Sequence, residues 1–524
     1  MLKELTRKPL PLLMSGAVLT AMILVFPVLG VLQWISMIPI FMGVYCLLED
    51  PLLKGKKAYL YGFLTVYVYY FILYHWFVSL YPLDFVGLEP VAAIGVVAIA
   101  WLGLPLLQAI PGGLIFVFYR LIRKSGAFEK LPLLRPVVFS VLWVIFEWSS
   151  TLHWTGVPWG RLALGQIKLL PMVQSASLFG SYFVSFLILA VNGLLAYGIV
   201  FASKRRLCSL LAAGLLVANM GYGLIAQAFL PKEGEALRAA VLQPNIGSQE
   251  KWGNTEQVTL ERCEELTAKA AAEGAEIVVM PETVLPYELS DDDYLRDFMS
   301  SLAREHGVYL IVGAFYMDEE YEEYNGLYLF APDGEMSDTV YGKRHLVPFG
   351  EYVPLRDFVT LVFPPLADIS MLSEDLTPGA DSDLFETEWG KIGSLICFDS
   401  IYEQLTLDSV RDGADLMVIS SNDSWFFDSA AVYQHQAQAQ LRAIESGRYI
   451  LRSANTGIST IIAPNGKILS RIDPLIQGYA VSEVKTQSTN TLYTVVGNLF
   501  VYLCIAFCVG LPVTFAVLKK KGRA

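Results

Sequence analysis

Seven long apolar stretches fill the first 230 residues of the chain, and one more lies near its end. About 20 predominantly apolar residues are needed to cross a bilayer as a helix, so stretches of this length are typical of membrane spans. Mean hydropathy is +0.47, which supports a membrane protein. We predict about eight transmembrane helices, at residues 11–29, 31–48, 58–80, 90–119, 134–152, 172–202, 208–230 and 491–518.

The orientation of these helices is predicted by their connections, because cytoplasmic loops carry an excess of lysine and arginine. Every second connection is basic, and so are both ends of the chain. The basic residues are Lys3, Arg7 and Lys8; Lys54, Lys56 and Lys57; Arg120, Arg123 and Lys124; Lys204, Arg205 and Arg206; and Lys519, Lys520, Lys521 and Arg523. This pattern predicts that both termini are cytoplasmic and that residues 231–490 lie outside the cytoplasm.

The long segment between the seventh and eighth stretches differs sharply in charge from its surroundings. Residues 231–490 contain 18 Lys and Arg against 43 Asp and Glu, whereas the flanking segments contain 20 against 7. An acidic surface disfavours nucleic acid, whose binding requires cations. We therefore divide the chain into helices 1–7 at residues 1–230, an outer domain at 231–490, and helix 8 with a basic tail at 491–524.

Short apolar runs alternate with helical patterns in the outer domain, which is typical of α/β proteins. The later part, residues 450–471, has an antiparallel pattern, so the sheet is not expected to be purely parallel. Strands are predicted at 237–243, 276–280, 308–315, 325–331, 391–396, 415–420, 450–454 and 458–463, and helices at 254–273, 291–306 and 430–447.

Reactive side chains follow strands or stand in constrained loops at three places. Glu282 follows the run Val278–Pro281, Lys343 and Glu351 lie in the loop Tyr341–Pro354, and Cys397 ends the run Lys391–Ile396. A carboxylate can remove a thiol proton, the thiolate can attack an acyl carbonyl, and an ammonium can stabilise the oxyanion. This set of groups is compatible with acyl transfer.

Other interpretations of these residues remain open at this point. Cysteine nucleophiles often use histidine, so His345 and His435 are alternative bases, although His435 lies on a predicted helix and fits a structural role. Cys263 and Cys397 are the two cysteines of the outer domain, and the helical context of Cys263 favours a buried thiol over a disulfide. The six cysteines form neither a CxxC pair nor a Cys/His cluster, so no metal site is predicted.

Three stretches resemble the Glu-Lys-Cys triad of the nitrilase superfamily: Pro281–Glu282, Gly342–Pro354 and Ile396–Cys397. Together with the helical frame, the chain resembles the apolipoprotein N-acyltransferase family along nearly its whole length. Its most specific part is the run from Lys343 to Pro354. Three further matches are Asn422-Asp-Ser-Trp-Phe426, Gln434-His435 and Arg442-Ala-x-Glu445.

The resemblance implies an α/β/β/α sandwich that rests on a bacterial inner membrane and acts without a cofactor, as a monomer. Cys397 would accept an acyl chain from a phospholipid as a thioester, with Glu282 as general base and Lys343 as oxyanion stabiliser. The acceptor would be the α-amine of a diacylglyceryl-cysteine lipoprotein. By the same resemblance Glu351 would support Lys343, and Trp252 and Asn325 would line the site.

Two features of the sequence bear on substrate use. The family usually has Cys-Tyr-Glu at the nucleophile, whereas this chain has Phe398 and Asp399 after the cysteine, and it usually has Trp where this chain has Met280. The segment 354–372 is long and apolar for a loop of an acidic domain, so it is either a buried core segment or a loop that contacts lipid.

Two rival functions remain at this level. A membrane-tethered amidase or nitrile hydrolase would use the same three groups with water as acceptor. A transporter or receptor would need no covalent chemistry, but its helices are expected to carry paired charges or broken segments along a substrate path.

Overall fold

A computed structural model describes residues 9–48, 50, 52–83, 88–228, 234–247, 256–362 and 375–520. In these residues, the strands lie between residues 236 and 485, and the segments before and after them are helical. One unit comprises Met1–Val78, Val96–Phe229 and Val496–Ala524, and the other comprises Ser79–Gly95 and Leu230–Val495. The second unit thus includes residues 79–95, which the sequence analysis assigned to the membrane part.

Apolar helices match the predicted stretches in position. They are α1 Pro9–Val25, α2 Ile38–Leu48, α3 Gly55–Leu73, α4 Pro90–Lys124, α5 Leu134–Ser149, α6 Ser181–Val200 and α7 Arg205–Ala228, with a last helix at Leu499–Lys520. Within the described ranges, six helical segments are long and apolar enough to cross a bilayer. The helices α1 and α5 are shorter, at 17 and 16 residues. Several apolar helices are confirmed, six of the described segments being long enough to cross a bilayer, and the total of eight stays a prediction.

Breaks between apolar helices are stabilised by buried polar side chains. A 3-10 helix at Pro27–Leu32 precedes α2, where Pro27 and Gly30 predict a turn. The side chain of Gln166 donates a 2.8 Å hydrogen bond to the carbonyl oxygen of Gly30, and Asn192 accepts one of 2.9 Å from the amide of Met37. Backbone groups in apolar surroundings need such partners, because water is absent there.

The second unit contains two sheets. Their strands are β1 Ala236–Gln243, β2 Ile277–Val279, β3 Leu285–Glu288, β4 Tyr309–Met317, β5 Glu323–Phe330, β6 Tyr341–Gly342, β7 Phe385–Thr387, β8 Gly390–Ile396, β9 Leu416–Ser421, β10 Ile450–Ala454, β11 Ser459–Ile462, β12 Ile468–Ile472 and β13 Gly478–Lys485. The first sheet has the order β13-β1-β2-β4-β5-β6 with β3 beside β4, and the second has the order β12-β11-β10-β9-β8-β7. Strands β10, β11 and β12 pair antiparallel, which confirms the pattern predicted for residues 450–471.

The two sheets pack face to face between two layers of helix. Apolar residues such as Val241 and Ile311 of the first sheet share one cluster with Ile396 and Val418 of the second. Helices α8 Glu256–Ala272 and α9 Asp293–His306 cover the first sheet, and α11 Glu403–Arg411 and α12 Ala430–Ser446 cover the second, with the short helix α10 Arg356–Val362 between them in sequence. This α/β/β/α sandwich confirms the predicted fold class.

Some elements were missed by the sequence analysis because their local patterns are weak. Helix α11 has only nine residues and a polar sequence, yet Glu403, Thr406 and Ser409 are buried in it. Strand β13 is largely half-buried and forms by pairing with β1 at the edge of the sheet. Tertiary contacts, rather than hydrophobic periodicity, define both elements.

Candidate active site

Glu282 stands three residues after the end of β2, in a turn that the sheet holds close. Its side chain is 5% exposed, and the next residue, Thr283, has a positive φ of 42°. A Cβ atom on Gly313 of β4 would lie 2.5 Å from the carbonyl oxygen of Pro281, so glycine is needed for the turn to lie against β4. The strand end thus presents a buried carboxylate in a fixed direction.

Lys343 follows β6 directly and is fixed by its own backbone. Its amide donates a 2.8 Å hydrogen bond to the carbonyl oxygen of Asn325 on β5. The ammonium is 1% exposed and donates to Oε1 of Glu282 and to Oε1 of Glu351, both at 2.8 Å. The cation therefore bridges two carboxylates inside the protein.

Asn325 completes this cluster from β5. Its Nδ2 atom donates to Oε1 of Glu282 at 2.8 Å and to Oε1 of Glu351 at 3.0 Å. The second oxygens of the two carboxylates accept backbone amides, from Asn422 at 2.8 Å for Glu282 and from Val347 at 2.8 Å for Glu351. Each carboxylate is held at both oxygens, so neither is free to rotate.

Burial and the neighbouring charges shift the pKa values of Lys343 and Glu351. Burial disfavours a charged Lys343, but Glu282 and Glu351 outweigh it and hold the pKa of Lys343 well above its ordinary value. Burial raises the pKa of Glu351, although Lys343 opposes the shift. Lys343 is therefore a permanent cation at neutral pH.

Cys397 comes directly after β8 and begins a 3-10 turn, Cys397–Ile401. Its φ is 48°, a left-handed conformation that is rare for residues other than glycine. The side chain is partly exposed. Burial and the negative charges of Glu282 and Asp423 raise the pKa of the thiol, while Lys343 lowers it. The thiol is consequently protonated at neutral pH and needs a base to become a nucleophile.

A hydrogen-bonded network holds the backbone behind the cysteine. The carbonyl oxygen of Cys397 accepts from Ser400 Oγ at 2.7 Å and from His435 Nε2 at 3.1 Å. The other ring nitrogen of His435 lies 2.8 Å from Asp423 Oδ1, and Arg452 donates to Asp423 Oδ2 at 2.8 Å. Both nitrogens of His435 are engaged in this network, so we interpret it as a residue that positions the turn, not as the base.

Cys397, Asp423 and His435 also have the spacing of a metal-binding group. The sulfur, a carboxylate oxygen and a ring nitrogen lie within 4.8 Å of one another. Arg452, however, lies 2.8 Å from Asp423 and 3.0 Å from His435. Burial opposes ionisation, but Arg452 and His435 hold the pKa of Asp423 below its ordinary range. A guanidinium already neutralises this carboxylate, and a second cation beside it would be repelled.

The two residues after Cys397 have different environments. Asp399 is fully buried, and its carboxylate accepts from Tyr341, Ile396 and the amide of His345. Burial raises the pKa of Asp399, opposed by Lys343. Phe398 is partly exposed and packs edge-on against Tyr402. Asp399 therefore acts on the fold of the site, while Phe398 is the residue of this pair that a substrate can reach.

The structure brings seven of the eight predicted site residues into one region. Glu282, Asn325, Lys343 and Glu351 form one hydrogen-bonded cluster, Cys397 is within electrostatic reach of Glu282 and Lys343, and Phe398 and Asp399 follow it in the same turn. Trp252 lies outside the described residues. Cys263 is buried in α8 and both cysteines are free, as predicted. Arg452 was missed, although an arginine within the apolar strand Ile450–Ala454 is a signal of a buried ion pair.

Comparison with known proteins agrees with this architecture. A model of the carbon-nitrogen hydrolase family matches residues 238–493, and a model of the apolipoprotein N-acyltransferase N-terminal domain matches residues 15–194. An apolipoprotein N-acyltransferase of Geobacter metallireducens is 32% identical over 508 residues, which cover 94% of this chain and 92% of the relative. The chain belongs to the apolipoprotein N-acyltransferase family.

Further similarities concern a second relative and one solved structure. An apolipoprotein N-acyltransferase of Gloeobacter violaceus is 32% identical over 94% of this chain and 92% of its own length. The structure of a nitrilase-superfamily member from Saccharomyces cerevisiae is 20% identical in sequence and has a TM-score of 0.39. The alignment covers 49% of this chain and 93% of the yeast chain. Membership of the apolipoprotein N-acyltransferase family identifies a membrane acyltransferase, which excludes a receptor or transporter without chemistry.

Proposed function

We propose that this member of the apolipoprotein N-acyltransferase family works by a ping-pong reaction through a thioester on Cys397. The observation that carries the proposal is the contact of the Lys343 ammonium with Glu282 Oε1, beside a thiol that is protonated at neutral pH. A base and an oxyanion partner are the two groups that such a thiol lacks.

In the first half-reaction, the Glu282 carboxylate takes the proton from the Cys397 sulfur. The thiolate attacks the ester carbonyl of a phospholipid, and the Lys343 ammonium stabilises the tetrahedral oxyanion. The carbon–oxygen bond to the glycerol then breaks, and the departing oxygen receives the proton from Glu282. A lysophospholipid leaves, and the acyl chain stays on the sulfur.

In the second half-reaction, the α-amine of a diacylglyceryl-cysteine lipoprotein attacks the thioester. Glu282 accepts a proton from the attacking amine, the carbon–sulfur bond breaks, and Glu282 passes that proton to the departing thiolate, which restores the starting enzyme. The product is an amide. Glu351 and Asn325 support this chemistry by holding Lys343 and Glu282 in place, and Trp252 is assigned to the lining of the site by its sequence match alone.

The membrane placement is part of the proposal. The basic connections support a placement in the bacterial inner membrane with both termini in the cytoplasm. In this placement, the outer domain at residues 231–490 lies on the opposite side of the membrane from the cytoplasm. The short helix α10 supports lipid contact at segment 354–372, because Leu355, Phe358 and Leu361 are 61% to 81% exposed on and beside it. Residues 363–374 lie outside the described part of the chain.

Mass spectrometry of the full-length protein incubated with phospholipid tests the first half-reaction. We expect an acyl adduct on Cys397 that a diacylated lipopeptide then discharges, with the peptide gaining the acyl chain. Unmodified Cys397 during turnover would contradict the thioester. Release of free fatty acid, with no acylated peptide, would favour the rival hydrolase. Reporter fusions at residues 240 and 520 test the orientation.

A further inference from the structure

Ser421 is the last residue of β9 and lies next to the nucleophile. Strands β8 and β9 run parallel, with Ile396 paired to Ser420, so the residues that follow each of them are neighbours. Ser421 is fully buried, and its Oγ lies 3.0 Å from Asp423 Oδ1, in the cluster where the Cys397 sulfur, a carboxylate oxygen of Asp423 and a ring nitrogen of His435 lie within 4.8 Å of one another. A hydroxyl therefore lies beside the sulfur on which the proposed reaction takes place, and it lowers the pKa of that thiol.

Two further contacts show what this hydroxyl can do. Its oxygen receives a 3.4 Å hydrogen bond from Arg452, and its proton points to Asp423 Oδ1 at 3.0 Å. Because a serine has one proton to donate, it serves either Asp423 or the sulfur at a given moment. The guanidinium contact leaves that proton available and withdraws charge from the oxygen.

Asp423 does not depend on Ser421. Its Oδ1 atom also contacts His435 Nδ1 at 2.8 Å, and its Oδ2 atom receives Arg452 at 2.8 Å. When the serine proton turns away, the carboxylate keeps its contacts with Arg452 and His435. A rotation of the hydroxyl from Asp423 to the sulfur is therefore inexpensive for the network.

We infer that Ser421 is a further catalytic residue, whose hydroxyl turns from Asp423 to the Cys397 sulfur when the thiol ionises. The thiol proton goes to Glu282, and the serine proton stays on its own oxygen throughout. The inference rests on the proposed role of Cys397. It extends to both half-reactions, because the sulfur carries negative charge before it attacks and again when it leaves the thioester. Such a donor would offset the neighbouring anions Glu282 and Asp423, which raise the pKa of the thiol.

The test is the pH dependence of Cys397 alkylation by iodoacetamide in the full-length protein, followed by peptide mass spectrometry. In Ser421→Ala we expect the plot of log rate against pH to move by about one unit to higher pH, which is tenfold less thiolate at a given pH. The same variant should slow both acylation by phospholipid and discharge by lipopeptide by about tenfold.

Ser453→Ala is the matched control, because Ser453 is also a fully buried strand serine, and it donates to the carbonyl oxygen of Leu242 instead. Its alkylation profile should coincide with that of the wild type. Ser421→Thr keeps the hydroxyl and should do the same. A Ser421→Ala profile that overlaps the wild type, or a Ser421→Thr profile that shifts with it, would overturn the inference.

Alkylation does not require phospholipid, so it separates this inference from the proposed function. Absence of an acyl-enzyme in the wild type would defeat the ping-pong proposal. The alkylation profiles would still decide whether Ser421 sets the acidity of Cys397.

Discussion

The carboxylate of Asp399 accepts a 2.7 Å hydrogen bond from the backbone amide of His345. The same carboxylate receives the Tyr341 hydroxyl at 2.9 Å and the Ile396 amide at 3.0 Å. Tyr341 and His345 lie two residues on either side of Lys343, and Ile396 precedes Cys397. The buried side chain of Asp399 thus links the segment that carries Lys343 to the segment that carries Cys397.

Replacement of Asp399 by Asn should therefore disturb the spacing between the two groups. The side-chain NH2 group of Asn would face groups that are themselves donors, and a buried polar group without a hydrogen-bond partner costs about 1–3 kcal/mol of stability. We expect acyl-enzyme formation to slow by about 10- to 100-fold, as misplaced catalytic groups do. Time-resolved mass spectrometry measures the rate. Asp473→Asn, at an exposed ion pair with Arg471, is the control. Wild-type kinetics in Asp399→Asn would contradict the role.

Replacement of Lys343 by Met should remove the oxyanion partner and leave Glu282 and Glu351 facing each other without a cation. Loss of one such donor costs about 100- to 1000-fold in rate. We expect a loss of at least this size in acyl transfer to lipopeptide. Lys391→Met, on the strand that leads to Cys397 and exposed in its pair with Glu386, should retain activity. Retention of activity in Lys343→Met would rule out its proposed role.

Replacement of Glu282 by Gln should separate thiol acidity from catalysis. Because the Glu282 anion raises the pKa of Cys397, its removal should lower that pKa and speed alkylation at a fixed pH. Acyl transfer should nevertheless fall sharply, because the base is gone. Parallel alkylation and transfer assays measure the two effects, with Glu288→Gln on β3 as control. Slower alkylation in Glu282→Gln would contradict the expectation that Glu282 raises the pKa of Cys397.

Replacement of Arg452 by Leu should destabilise the sandwich, because it leaves the buried Asp423 carboxylate without its guanidinium partner. Breaking a buried ion pair costs about 3–5 kcal/mol. The pKa of Asp423 is lower in the folded than in the unfolded protein. The ion pair therefore stabilises the folded state fully at pH values above the unfolded pKa of about 3.9, and this stabilisation is lost as the pH falls through the folded pKa. The thermal midpoint should fall most at neutral pH, and the difference from the wild type should narrow in acid.

An exposed ion pair provides the comparison for Arg452. Lys269 and Glu265 lie four residues apart on α8, with about half of each side chain exposed. Such pairs contribute about 0–1 kcal/mol, so Lys269→Leu should leave the midpoint nearly unchanged. Equal effects of the two substitutions would contradict a structural role for the Arg452–Asp423 pair.

Replacement of both Phe358 and Leu361 by Ser tests lipid contact at α10. Their side chains are 61% and 81% exposed, which is typical of a surface that meets an apolar partner. We expect a higher KM for phospholipid in vesicles and an unchanged alkylation rate of Cys397. Tyr321→Ser, at an 83% exposed site in an acidic loop, should leave KM unchanged. An unaltered KM for phospholipid in the double variant would contradict a role of α10 in lipid binding.

Local patterns in the sequence were sufficient for much of this protein. Bilayer-length apolar stretches predict helices without reference to neighbours, because each span satisfies its own backbone. Strand ends that carry Glu282, Lys343 and Cys397 predict reactive groups held by the turn after each strand, but the burial of Glu282 and Lys343 could not be predicted in this way. The family resemblance rests on the same short stretches.

Tertiary structure decided what joins these stretches. The bridge from Lys343 to Glu282 and Glu351, the Asn325 contacts and the network of Ser421, Asp423, His435 and Arg452 connect residues that lie far apart in sequence. Hydrogen bonds and ion pairs form between atoms a few ångströms apart, and the register of two sheets sets those distances. Periodicity fixes which face of a strand is buried, but not which residue of another strand it meets.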